Sequence, residues 1–441
     1  MKKSKYNSFF CVKDEHFIYN SYTNSFMQVE KEIIDFLKQE DIDEDILSKE
    51  DFEVLKSAGF IFENNQEENF ILERMLQYNI RSNNQFTLNL TLIPTLACNF
   101  KCPYCYEKSR PHVSMEETTK DNIIKFISNQ EHIKTLFIQW YGGEPLLKFE
   151  NMVEITNRIK NIPFIKKKSV KIVADLTTNG YLLSKKVIKQ LDKLNIQTIQ
   201  ITIDGLEETH NKRRPHISNK DSFKRILSNI SCLLELQPNI MIHLRVNVDH
   251  TNKDEFPLLI KFLNDKFGLN KNFKIYPGFV QDTTACNTGS GCTLDTKNQL
   301  KFKLDAFYKY GINLGYYPTV RDNICMAQHV NSFVIDANGD ITKCWLDVGR
   351  SDRAIANVNS KGLIDSSLLT KYLVGCNPFY DETCIKCNIF PICGGGCQHD
   401  RIENQYFSAH HNICTIFKEG LGDLLYAHYL SKNEKNEKNE N

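Results

Sequence analysis

Between residues 87 and 280 the apolar positions alternate between two spacings. Six runs read as strands: Thr87–Thr95, Thr135–Tyr141, Ser169–Thr178, Thr198–Asp204, Asn239–Asp249 and Phe273–Val280. Five runs between them read as helices: Met115–Asn129, Phe149–Asn161, Ser184–Asn195, Phe223–Leu236 and Glu255–Gly268. One stretch shows both spacings in turn. Ser184 can cap a helix with Val187, Ile188, Leu191 and Leu194 on one face. The chain then switches to period two, with Ile199, Ile201 and Ile203 alternating with Thr198, Gln200 and Thr202. Strands and helices in strict alternation predict repeated βα units, an α/β fold and a parallel sheet.

Before residue 87 the pattern changes. Residues 9–30 read as short strands with turns, helical runs follow at Val29–Gln39 and Lys49–Ala58, and Phe60-Ile61-Phe62 reads as a strand. This predicts a small α+β domain over residues 1–86. The acidic run Glu40-Asp41-Ile42-Asp43-Glu44-Asp45 reads as a solvated loop. The end, Lys432 to Asn441, repeats Lys-Asn-Glu without apolar residues and is expected to be disordered.

A length of 441 residues calls for two or three domains. The formal net charge of +1 gives no basic surplus for nucleic acid. The first residues carry no apolar stretch suited to export, and no run of eighteen apolar residues would span a membrane, so a cytoplasmic location is expected. In a reducing compartment, fifteen cysteines argue for metal or cluster ligation rather than disulfides.

Cys98, Cys102 and Cys105 form a C-x3-C-x2-C pattern after the first strand. Three thiolates on one loop suit a four-iron cluster, which takes one thiolate per iron and here would leave one iron open. A zinc knuckle is the alternative, although zinc sites usually show paired C-x2-C halves. The pattern resembles the signature of radical SAM enzymes. The resemblance implies a partial (β/α)6 TIM-like barrel over residues 87–281, against a doubly wound sheet as the alternative. It implies a [4Fe-4S] cluster whose open iron chelates S-adenosylmethionine, and electron transfer that yields a 5′-deoxyadenosyl radical. By the same resemblance Tyr104 lies near the adenine, and Gly142-Gly143-Glu144-Pro145 meets the amino group of S-adenosylmethionine. Glycines permit close backbone approach, and carbonyls and a carboxylate suit an ammonium group.

In His210-Asn211-Lys212-Arg213-Arg214 the resemblance assigns Arg214 to the cofactor carboxylate, with the adjacent Arg213 as the competing choice. Asn179 and Asp204 read as partners for ribose or main-chain groups, or as turn residues of Asn-Gly and Asp-Gly. The cysteine loop, Gly142–Pro145, Thr177–Gly180 and Asp204-Gly205 follow strands one to four, so a barrel would gather them at one rim. The fifth strand puts His243, Arg245 and Asn247 on one face, which predicts either a polar inner wall or the wet face of an edge strand.

The last third holds a second constellation. Cys325 is followed by thirteen residues, Gly339, four residues and Cys344, and then by Cys384, Cys387, Cys393, Cys397 and Cys414. Gly339 has a local reason too, because Ala337-Asn338-Gly339 reads as an Asn-Gly hairpin turn. The spacing resembles the seven-cysteine SPASM extension, placed here at residues 282–431. That resemblance implies two auxiliary [4Fe-4S] clusters and three clusters in all. Cys384, Cys387, Cys393 and Cys414 would ligate the second auxiliary cluster, and Cys325, Cys344 and Cys397 the first. Its fourth ligand would be Cys286 or Cys292, with Cys376 a weaker candidate, or the position stays open. Four-thiolate zinc sites remain the alternative by spacing alone. Cys11 and Cys232 read as ordinary thiols, with Cys232 in an apolar helix.

Enzymes bearing this extension mostly modify peptides or proteins. The favoured reading is a peptide maturase that abstracts hydrogen from a residue of a ribosomally made precursor peptide, forming a crosslink or another modification. A reductant such as flavodoxin or ferredoxin is implied, and residues 1–86 either grip a leader peptide or shield the barrel. The first alternative is an anaerobic sulfatase-maturating enzyme, which forms formylglycine. In that branch an aspartate base typically follows the cysteine equivalent to Cys344. Here Trp345 stands there, and Asp347 comes two residues later. A non-catalytic iron–sulfur scaffold that binds a peptide is the alternative of another class.

Overall fold

In the computed structural model the six expected strands lie side by side in the order in which the chain makes them. The structure describes residues 1–39, 46–63, 66–107, 111–268, 270–281, 293–321, 324–360 and 362–439. The acidic run 40–45, Cys286 and Cys292 lie outside them. The strands are β1 (Thr87–Leu92), β2 (Thr135–Trp140), β3 (Lys171–Thr178), β4 (Ile196–Thr202), β5 (Met241–Val248) and β6 (Phe273–Phe279). All five neighbouring pairs are parallel. A doubly wound sheet reverses its strand order at a switch point. This run goes β6-β5-β4-β3-β2-β1 without reversal, as a barrel winds, and so excludes that alternative.

The connecting helices include α1 (Glu117–Ser128), α2 (Phe149–Lys160), α3 (Phe223–Leu236) and α4 (Phe256–Phe267). The helix expected over Ser184–Asn195 is divided. Ser184 caps a short α-helix, Lys185–Ile188, by accepting from Val187 N at 3.4 Å, and a 3₁₀ turn follows at Leu191–Leu194. Ile188, Leu191 and Leu194 are all fully buried, and their spacing of three matches the 3₁₀ period.

The sheet continues past β1. Strand β7 (Ser332–Ile335) pairs parallel to β1, and β8 (Asp340–Thr342) and β9 (Ala356–Asn357) add antiparallel. The expected hairpin is therefore β7–β8. Only Gly339 of its Asn-Gly pair takes a positive φ, +87°, and its N–H closes the turn on Asp336 O at 3.0 Å. The Asp336 carboxylate accepts from Asn338 N and Asp340 N at 2.9 and 3.0 Å.

On β5 the side chains alternate as expected. Ile242, Leu244, Val246 and Val248 are buried, and His243, Arg245 and Asn247 are half-buried. Because β5 is paired on both sides, it is not an edge strand.

The described residues group into two compact units. One comprises residues 83–294 with 326–373, the sheet just described, and the other comprises 1–82 with 295–325 and 374–441. In the second unit Asn7–Val12, Glu15–Asn20 and Ser25–Val29 form an antiparallel sheet, and Lys2–Lys3 pairs with Ile61–Phe62. Helices Lys31–Lys38 and Lys49–Ser57 cover a core of Ile18, Phe36, Leu37, Phe52 and Leu55. A further helix, Gln66–Ser82, has no counterpart in the sequence reading. A second core joins Tyr19 to Ile389, Ile392, Leu421 and Leu425, so the N-terminal strands and the C-terminal cysteine segment share one interior.

Part of the tail expected to be disordered, Lys432 to Asn439, continues the last helix. The last helix runs from Ile416 to Asn439, with a break at Gly420. Lysine and glutamate favour helix, and the preceding turns supply the nucleus that an isolated segment lacks. Cys232, expected in the core, is only partly buried. Among the described residues no helix is long and apolar enough to cross a membrane.

Candidate active site

The loops that follow β1 to β4 are tied together by buried polar contacts. Glu144, fully buried, accepts at one oxygen from Leu146 N at 3.0 Å and Thr178 Oγ1 at 2.7 Å, and at the other from Asn179 N at 2.8 Å. Its own N–H donates to Ala97 O at 2.9 Å, next to the first cysteine. Asn179 donates its side-chain amide to Asn99 Oδ1 at 2.8 Å. One carboxylate and two amides thus lock the loops of β2 and β3 to the cysteine loop. Burial raises the Glu144 carboxyl above its ordinary pKa, while the bonds from Asn179, Thr178 and Leu146 work against that rise. Two carboxylate oxygens offer about four acceptor sites. Three are taken here, which leaves little for an ammonium group.

The glycines of the same motif serve a close approach within the chain itself. A Cβ on Gly142 would sit 2.4 Å from Ile93 Cγ2, and one on Gly143 would sit 2.3 Å from Ala97 O. Gly142 also has φ +118°. Pro145 is buried and opens the 3₁₀ turn Pro145–Lys148.

Tyr104, between the second and third cysteines, donates to the buried carboxylate of Asp204. It accepts from Arg214 Nη1 at 2.5 Å and Asn247 Nδ2 at 3.2 Å. Asp204 also accepts from Asn247 N at 2.9 Å and stands 3.8 Å from Arg214. The two adjacent arginines face different partners. Arg213 Nη1 meets both Asp249 oxygens at 2.8 Å, whereas Arg214 faces Tyr104 and Asp204. His210 Nδ1 accepts from Asp204 N at 3.3 Å, and burial holds the ring neutral, well below its ordinary pKa. Asn99 and Asn247 were missing from the sequence-derived cofactor set. Asn247 carried a signal, its place on the polar row of β5, but Asn99 carried none beyond its neighbours.

Cys98, Cys102 and Cys105 are partly buried on their loop, where Phe100 N donates to Cys98 Sγ at 3.4 Å and Cys105 N to Cys102 O at 3.3 Å. Tyr106, next to Cys105, shares a hydrogen bond with Tyr141, and the Tyr141 ring stacks on Trp345 at 5.7 Å. Trp345 is 43% exposed, whereas Asp347 is fully buried and accepts from Tyr372 Oη at 2.5 Å.

Of the other cysteines, Cys344 and Cys376 are buried, Cys384, Cys387, Cys393 and Cys397 partly buried, and Cys325 and Cys414 exposed. Cys414 lies within electrostatic range of Cys393 and Cys387, and Cys397 within range of Cys325. Gly394, Gly395 and Gly396 all have positive φ, and a Cβ on Gly396 would lie 2.0 Å from Ile413 O, next to Cys414. Cys376 donates to Gln405 Oε1 at 3.4 Å inside the fold. Among the described residues no three His, Cys, Asp or Glu side chains converge closely enough to hold a metal ion as they stand.

Residues 92–263 match the Radical SAM superfamily. The chain carries a radical SAM domain. It is 24% identical over 352 residues to a cysteine-type anaerobic sulfatase-maturating enzyme of Clostridium novyi, covering 73% of this chain and 90% of that one. It is 22% identical over 404 residues to the radical SAM cyclopropyl synthase TigE of Paramaledivibacter caminithermalis, covering 82% and 79%. Streptococcus suis SuiB, solved with S-adenosylmethionine, shares the fold at a TM-score of 0.54 and 16% identity, over 94% of this chain and 100% of that one. SuiB has also been solved with its precursor peptide SuiA. The radical SAM partial barrel and its cysteine-rich C-terminal extension thus agree with the expected fold class.

The radical SAM domain implies a [4Fe-4S] cluster and S-adenosylmethionine, and the residues present fit both. Three thiols on one loop form the donor set. Beside them Arg214 Nε and Asn99 Nδ2 are buried without a hydrogen-bond partner among the described residues, two unmet donors that suit a carboxylate.

Proposed function

We propose that this chain is a radical SAM peptide maturase that acts on a residue of a ribosomally made precursor peptide. The observation that carries this choice over sulfatase maturation is the surface beside Cys344. Trp345 occupies the position after the cysteine, and Asp347 is buried on Tyr372, so neither supplies an exposed carboxylate base there. The relationship to TigE supports the same branch.

In this reading Cys98, Cys102 and Cys105 would hold a [4Fe-4S] cluster, which would supply the electron for reductive cleavage of S-adenosylmethionine and hence a hydrogen-abstracting radical. Backbone carbonyls around Gly142 and Gly143 receive the amino group, because Glu144 is occupied in joining the loops. Arg214 binds the carboxylate through its unmet Nε, while Tyr104 and Asp204 fix the guanidinium in place. Asn179 acts through Asn99 to hold the loop. The half-buried row of β5, Arg245 above all, forms the inner wall that meets the peptide. Cys384, Cys387, Cys393 and Cys414 form one auxiliary centre, and Cys325, Cys344 and Cys397 another. Residues 1–86 grip the leader segment, and a reductant such as flavodoxin or ferredoxin delivers electrons.

Two substitutions separate the arginines. Arg214→Gln is expected to weaken S-adenosylmethionine binding about 10–100-fold by equilibrium dialysis, the loss of a charge-assisted contact. Arg213→Gln is expected to lower thermal stability instead, since it strands buried Asp249. Arg245→Ala is expected to abolish peptide turnover while peptide-free release of 5′-deoxyadenosine continues; unchanged turnover would remove the inner wall from the proposal. Incubation with a sulfatase-derived peptide, followed by mass spectrometry, is expected to give no formylglycine. Its appearance would establish the sulfatase branch.

A further inference from the structure

We infer that Arg401 is the positioning residue that assembles the C-terminal thiolate centre and sets its charge. The inference rests on the proposal that Cys384, Cys387, Cys393 and Cys414 form one centre. Arg401 is 8% exposed and lies on the helix Gln398–Tyr406, which begins immediately after Cys397. Its guanidinium reaches three places. Nη2 pairs with Asp381 at 2.7 Å, and Nη1 donates to Gly395 O at 3.2 Å and to Cys384 Sγ at 3.6 Å.

Each contact bears on a different part of the cysteine run. Asp381 caps the short helix Glu382–Ile385 by accepting from Thr383 N at 3.0 Å and Cys384 N at 3.1 Å, so the ion pair fixes the segment carrying Cys384. Gly395 belongs to the left-handed loop between Cys393 and Cys397. Arg401 therefore clamps the first and second halves of the ligand run with one rigid fork. Lysine could not span the three acceptors with the same planar geometry.

The contact with Cys384 adds an electrostatic role. A centre of several thiolates carries surplus negative charge, and N–H···S bonds and nearby cations stabilise its more reduced, more negative state. Arg401 provides both from a buried position, where salt screens little. Lys418 makes a comparable contact with Cys387 Sγ at 3.7 Å, but from an exposed site.

The test compares the full-length wild type with Arg401→Gln and Arg401→Lys after anaerobic reconstitution. The readouts are iron and zinc per chain, the rate at which a chelator strips the metal, and the midpoint potentials followed by electron paramagnetic resonance. Arg401→Gln is expected to lose the metal of this centre about 10–100-fold more readily, the usual consequence of losing a partner that orients a ligand. Any cluster retained there is expected to titrate at a more negative potential, with the Cys98–Cys105 centre unchanged. Arg401→Lys, which keeps the charge, is expected to fall between the two and guards against a folding defect in the glutamine variant. Unchanged stripping and potential in Arg401→Gln would overturn the inference. A Cys387→Ala/Cys393→Ala variant checks the underlying proposal separately. If it removes no metal, there is no such centre, and Arg401's assigned role falls with it.

Discussion

Replacing Cys98, Cys102 and Cys105 together with alanine is expected to lower the reconstituted iron from about twelve to about eight per chain, at four irons per cluster. The three thiols sit on a single loop and form one donor set. The remaining iron is expected to belong to the C-terminal cysteines. Their partition into two sets is proposed from the spacing of the seven cysteines. A wild type with about four irons and about two zincs would keep the barrel centre and replace both auxiliary clusters by zinc sites. Metal analysis of the two proteins side by side reads all of this directly.

The second large effect is expected at Glu144. Truncation to alanine would leave Leu146 N, Asn179 N and Thr178 Oγ1 without their acceptor inside the fold. Each buried donor left unmet costs about 1–3 kcal/mol, so a loss of about 3–5 kcal/mol is expected in denaturant titration. The local consequence reaches further than the global one, because Glu144 joins the loops of β2 and β3 to the segment that enters the cysteine loop. Iron at the Cys98–Cys105 centre is therefore expected to fall as well. Glu144→Gln keeps one accepting oxygen and is expected to lose less of both. A purely cofactor-binding Glu144 would instead show near-normal stability with weakened S-adenosylmethionine binding.

How much of this was legible in the sequence depends on the range of the interactions involved. The clearest strands of the sheet could be read because apolar and polar residues alternate along them, as His243, Arg245 and Asn247 do against Ile242, Leu244, Val246 and Val248. Their monotonic order could not, since it depends on pairing between segments dozens of residues apart. The helix Gln66–Ser82 escaped the sequence reading even though Leu72, Leu76 and Ile80 recur at a spacing of four, and that row stays exposed. The shared core of Tyr19 with Leu421 and Leu425 joins the two ends of the chain, and no local pattern announces it.

The site divides in the same way. The cysteines, the Gly-Gly-Glu-Pro run and Arg214 stand out by spacing. What Glu144 and the glycines do in this chain does not, because it depends on the close passage of Ile93–Ala97 against Gly142 and Gly143. The Asn99–Asn179 contact escaped for the same reason, since it forms only once two loops meet.

The central claim is that this chain uses its three-cysteine loop for reductive cleavage of S-adenosylmethionine. It is tested most directly by incubating the anaerobically reconstituted wild type with S-adenosylmethionine and a strong reductant and quantifying 5′-deoxyadenosine and methionine. Equal amounts of both are expected from the wild type, and none from the Cys98→Ala/Cys102→Ala/Cys105→Ala variant. A wild type that is folded and loaded with iron yet releases no 5′-deoxyadenosine, with or without peptide, would contradict the claim and leave a non-catalytic peptide-binding scaffold as the better description.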